Sequence, residues 1–111
     1  MSNVYKNAIY APTTTANTTV YTCNATARAI IQNIQLNNLS GNHTVSAHIY
    51  SYSNSTTITV STTTLGTSDT CNLCKGPIIL QERDALLLSA ASTVVTGIVS
   101  ILEVNRGTLT N

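Results

Sequence analysis

Cys71-Asn72-Leu73-Cys74 is the one pair in this chain whose type and spacing suit metal or redox chemistry. A tetrahedral zinc site needs four ligands, so two more would have to come from Cys23, His43 and His48. His43 and His48 lie five residues apart in what reads as a strand, so they project from opposite faces. Cys23 would have to be delivered by the fold. A redox dithiol needs a strand leading into a helix start, and the residues around Cys71 do not read that way. The favoured reading is of loop thiols, paired with each other or with nothing. The odd count of three cysteines argues against a secreted disulfide framework. No metal ligand set and no cofactor is expected.

Acid–base and nucleophilic chemistry have little to draw on. A nucleophilic triad needs a hydroxyl or thiol beside a His and a carboxylate. Only His43, His48, Asp69, Glu82, Asp84 and Glu103 are available. Glu82 and Asp84 stand two apart in a turn, where carboxylates satisfy turn amides. There is no Gly-x-Ser-x-Gly elbow and no glycine loop that would cradle a phosphate. No catalytic residue is expected, and the chain does not read as an enzyme. Five Asn-x-Ser/Thr sequons occur, at Asn17, Asn24, Asn38, Asn42 and Asn54. A chain this rich in Ser and Thr yields about three by composition alone, so they carry little weight.

The elements that would position these residues are strands. Thr, Asn and Ser supply 43 of 111 residues. Thr is β-branched and fits a pleated surface, while Ser and Asn favour turns. Charged residues are only 8 %, with a net charge of +1. The five basic residues, Lys6, Arg28, Lys75, Arg83 and Arg106, are spread singly, so no stripe is built to neutralise phosphates and nucleic-acid binding is not expected. Few charges of either sign give little self-repulsion, which suits a permanent assembly subunit. The start, Met-Ser-Asn-Val-Tyr-Lys, does not read as a signal peptide. No apolar run approaches the roughly 20 residues that span a bilayer, so no membrane partner is expected.

Short β-branched runs recur between turn signals about every ten residues. This predicts an all-β fold, an antiparallel two-sheet β-sandwich of the jelly-roll or Ig-like kind, with about seven to eight strands. Residues 1–15 read as an N-terminal arm or edge strand, 16–104 as the sandwich and 105–111 as a tail. Pro12 and Thr13–Thr15 form a polar hinge. Strands are expected over Thr18–Cys23, Arg28–Asn37, Thr44–Tyr52, Thr57–Thr62, Gly76–Leu80, Ala85–Ala91 and Val94–Val104, with a loop and a possible short strand over Thr63–Gly76. A short helix is the rival reading of Ala85–Ala91. Alternation places Ile30, Ile34 and Leu36 on one face, with Gln32 the exception. It places Val45, Ala47 and Ile49 inward, and then Ile58 and Val60. His48, Tyr50 and Tyr52 point outward, as cross-strand packing or as an interface patch.

Three segments form one pattern: Thr18-Thr-Val-Tyr-Thr-Cys-Asn-Ala-Thr-Ala-Arg-Ala-Ile-Ile, then Ile34-Gln-Leu-Asn-Asn, then Gly76-Pro-Ile-Ile-Leu-Gln-Glu-Arg-Asp-Ala-Leu. This pattern resembles small tailed-bacteriophage virion proteins with an Ig-like or jelly-roll sandwich. It covers about Thr18–Val104. Arg83 stands where such proteins often have Gly, and Cys23-Asn24 where a small residue and Pro would be expected. The resemblance implies a capsid decoration (cement) protein, or an accessory part of the tail, neck or fibre. It implies the major capsid protein or other virion proteins as partners, and a homotrimer. The place implied is the outer capsid surface of a virion, after synthesis in the bacterial host cytoplasm. A receptor- or glycan-binding module is the further alternative. No catalytic residue comes with the resemblance.

Overall fold

The computed structural model describes residues 2–105 of the chain. Its strands are β1 (Ser2–Tyr10), β2 (Thr18–Thr22), β3 (Ala27–Asn38), β4 (His43–Ser51), β5 (Thr56–Leu65), β6 (Thr70–Asn72), β7 (Ile78–Leu80), β8 (Ala85–Ala90) and β9 (Val95–Asn105). The first sheet runs β1-β9-β3-β6, with β7 also pairing β3. The second runs β2-β8-β4-β5. Every pairing is antiparallel. The expected two-sheet antiparallel sandwich is therefore the fold, with nine strands among the described residues rather than seven or eight. The short strand allowed within Thr63–Gly76 is β6, and the N-terminal segment read as an arm or edge strand is β1, the edge of the first sheet. Ala85–Ala90 is a strand, not the rival helix. The tail after Asn105 lies outside the described residues.

Strand β3 corrects the expected face. Ala27, Ala29 and Ile31 are buried, and so are Ile34, Leu36 and Asn38. A register shift against β9 between Ile31 and Asn33 makes Gln32 the extra residue of a β-bulge. The bulge flips the phase, so Ile30 lies on the outer face and Ile31 takes the core position. In β4 the alternation is unbroken, and Val45, Ala47 and Ile49 are buried as expected. In β5 it fails: Ile58 and Val60 are exposed. Ile58 pairs with Ile49 and shares its face, but β5 is the sheet edge, and the strand is bulged at Val60. Period two finds the face of a strand; it does not report whether anything covers that face.

The core includes Tyr10, Ile31, Ile34, Leu36, Val45, Leu73, Leu80, Leu86, Leu88, Val95, Val99 and Ile101. Each large aliphatic side chain is worth about 1.5–3 kcal/mol on burial. Asn38 is the polar exception. It is fully buried at the end of β3, and its Nδ2 lies 2.6, 3.2 and 2.9 Å from the carbonyl oxygens of Gly41, Leu65 and Gly66. One amide thus gathers the turn after β3 and the end of β5. Asn38→Ala removes the donor from three carbonyls at once, and we expect a loss of about 2 kcal/mol in urea denaturation.

Candidate assembly surface

The cysteines do not converge. Cys23 Sγ donates to the carbonyl oxygen of Ala27, and Cys74 Sγ to those of Ile31 and Gly76. Cys71 is half-buried, in β6, and all three are free thiols. Burial pushes each thiol above its ordinary pKa, opposite to what activates a nucleophile. Among the described residues no three His, Cys, Asp or Glu side chains gather to hold a metal ion.

The histidines separate as alternation predicts. His43 sits at the start of β4 on the side of Val45. His48 lies outward, its Nε2 2.9 Å from Ser89 Oγ and its Nδ1 2.9 Å from Thr59 Oγ1. Burial lowers the His48 pKa. Asp84 behaves as the expected turn carboxylate, while Glu82 forms an ion pair. Asp84 accepts from the backbone N–H groups of Tyr52 and Gln81, and Glu82 pairs with Arg28 at 3.5 Å. Arg83 has φ 69°, the left-handed region where the resembled pattern carries Gly. Its guanidinium lies over the Tyr52 ring, 5.1 Å from the centroid. Tyr52 therefore lies beyond β4, in a clasp between two turns, rather than standing beside Tyr50 in a free aromatic patch.

One buried charge cluster spans both sheets. Glu103, on β9, is 5 % exposed. It accepts a short hydrogen bond from the Tyr21 hydroxyl on β2, and it pairs with Lys6 of β1 at 3.1 Å. Asn105 Nδ2 adds a weaker bond at 3.3 Å. The Tyr21 hydrogen bond, aided by Lys6, holds the Glu103 carboxyl below its ordinary range although burial works the other way. The Tyr21 phenol is raised, by burial first and by the carboxylate second. This reads as a structural tie. The carboxylate is anchored on every side, and its depressed pKa disfavours it as an acid. The alternating β-pattern alone shows no sign of it.

The two outer faces differ in chemistry. On the second sheet a hydroxyl ladder runs between β4 and β5, with Ser46 facing Thr62 at 3.0 Å and Thr44 facing Thr64 at 3.2 Å. On the first sheet, cross-strand partners line up as Tyr5–Leu102–Ile30–Ile79, and a second row reads Ile9–Ile98–Gln35–Asn72. Tyr5 is 78 %, Ile9 64 % and Ile79 63 % exposed. An open groove beside the second row is lined by Ile9, Gln35, Thr96 and Ile98. The first row is apolar throughout, the second ends on Gln35 and Asn72, and the polar row Asn7–Ser100–Asn33 runs between them.

No family model matches the chain, and no curated protein matches it in sequence. Among solved structures the fold is weakly similar to a chain of Bacillus endospore appendages, described as a family of disulfide-linked pili. The identity is 14 % over 94 % of this chain and 85 % of that one, with a TM-score of 0.45. It is also weakly similar to a chain of infectious bursal disease virus, Gt strain. The identity there is 11 % over 97 % of this chain, with a TM-score of 0.37, and this chain spans only 31 % of the viral one.

Proposed function

We propose that this protein is a non-enzymatic structural subunit of a phage virion, a decoration protein that binds the outside of the major capsid shell and stabilises it. The observation that carries the reading is the chemical asymmetry of the sandwich. One outer face is a hydroxyl ladder suited to water. The other presents Tyr5, Leu102, Ile30 and Ile79 in one row, suited to a protein neighbour. The sequence pattern over Thr18–Val104 supplies the virion context. The partners are the capsid protein and further copies of this chain; nucleic acid and membrane are not among them. Each contact need not be strong, because many copies on a closed shell act together.

Quantitative mass spectrometry of purified virions tests this. Hundreds of copies per particle are expected. A few to a dozen copies would instead favour the second reading, an accessory tail, neck or fibre part, which the same sequence pattern also fits. A receptor- or glycan-binding role has less support, because Arg83 covers the Tyr52 ring; binding on a glycan array would revive it.

A further inference from the structure

Strand β1 pairs with β9 along one side only, and its other side is a free sheet edge. An exposed edge is a template for another strand, and sheets are usually guarded there by Pro, by several charges or by shortness. Here the edge is nine residues long, holds no Pro and carries one charge, Lys6, already paired with Glu103. We infer that β1 pairs antiparallel with β1 of a second copy about a two-fold axis centred on Asn7, with each Tyr5 seated against the other copy's Ile9.

The register follows from the faces. A two-fold axis normal to the sheet keeps outward residues outward, so the axis passes through a residue position rather than between two. Centred on Lys6, it would set the two ammonium groups opposite each other, which is unfavourable. Centred on Asn7, it sets Tyr5 opposite Ile9 twice, Asn7 opposite Asn7, and Lys6 opposite Ala8. The two most exposed apolar side chains of β1 then cover each other. Tyr5 of the second copy also extends the row Ile9–Ile98–Gln35 and lies at the mouth of the groove along it. The result is a sheet continuous across both copies, with an aromatic ring buried at each side of the axis. This builds even-numbered assemblies, unlike the homotrimer implied by the resemblance. It shares Tyr5 with the apolar row of the virion reading, but it concerns the purified chain alone and so is tested separately.

Sedimentation and disulfide trapping of the full chain test it, in a Cys71→Ser background that removes the half-buried thiol. Facing residues across an antiparallel pair have Cβ atoms about 4.5–5.5 Å apart, close enough for a disulfide after small adjustment. Asn7→Cys is expected to give a reductant-sensitive two-chain band under mild oxidation, and Lys6→Cys is not. The parent chain is expected to sediment as a dimer at tens of micromolar. Tyr5→Ser is expected to weaken that dimer at least tenfold while leaving the melting temperature of the monomer unchanged. A monomer at every concentration, a mass of three chains, trapping through Lys6→Cys instead, or an unaltered dimer in Tyr5→Ser would each overturn the inference.

Discussion

Gly97→Ala is expected to lower stability by about 3 kcal/mol, although the substitution adds one methyl group. Gly97 lies in β9 between Tyr10 of β1 and Leu36 of β3, its partners on either side. Both neighbours are fully buried. A Cβ there would overlap the Leu36 side chain and the Gln35 carbonyl oxygen. The Leu36 side chain fills the space over the glycine, in a large–small–large row of cross-strand partners over three strands. A domain slightly over 100 residues loses about 4 °C of Tm per kcal/mol, so a thermal melt should fall by about 12 °C. Gly76→Ala is the internal control: its Cβ would meet no atom within 4 Å. Removing Leu36 bulk in a Leu36→Ala, Gly97→Ala double variant should rescue only in part, since the Gln35 carbonyl belongs to the backbone and cannot retreat. A Gly97→Ala melt equal to that of Gly76→Ala would refute this packing account.

Glu103→Ala is the second large effect, with an expected loss of about 3 kcal/mol. It strips the Tyr21 hydroxyl of its acceptor and Lys6 of its counter-ion, and so cuts a tie between β2 of one sheet and β1 and β9 of the other. Lys6 is half exposed and can turn to water, so most of the loss falls on the tyrosine and on the vacated volume. The pH dependence separates this charge from mere packing. Glu103 is held below its ordinary value of 4.5 in the folded chain. Its contribution is therefore present above 4.5 and lost as pH falls through the lower, folded value. His48 adds an earlier step of the same sign. Burial lowers it from 6.5, so the unfolded chain takes up that proton first and stability begins to fall below 6.5. Urea midpoints from pH 7 to pH 3 should show both steps. In Glu103→Gln the lower step should vanish and the upper one remain. A lower step of unchanged size would remove Glu103 from the account.

Alternation made the inward triplet Val45, Ala47 and Ile49 legible, because β4 has no bulge and a sheet covers one of its faces. It misplaced Ile30, because one extra residue at Gln32 inverts the phase and period two carries no signal for that insertion. It put Ile58 in the core, because an edge strand can point a side chain inward and still leave it exposed. Asp84 was legible for a different reason: turn carboxylates bond nearby amides. The positive φ of Arg83 was not legible, since its side chain gives no sign of a left-handed backbone.

The sequence by itself determined the all-β class, the hydroxyl-rich surface and most strand positions. These depend on composition and on contacts a few residues long. Only the tertiary structure decided that Lys6, Tyr21 and Glu103 meet, that Gly97 lies beneath Leu36, and that β1 closes one sheet while leaving its own edge open. Those facts depend on which strands become neighbours. Antiparallel pairing joins residues up to 103 positions apart, as Ser2 with Asn105, and no local pattern encodes that choice.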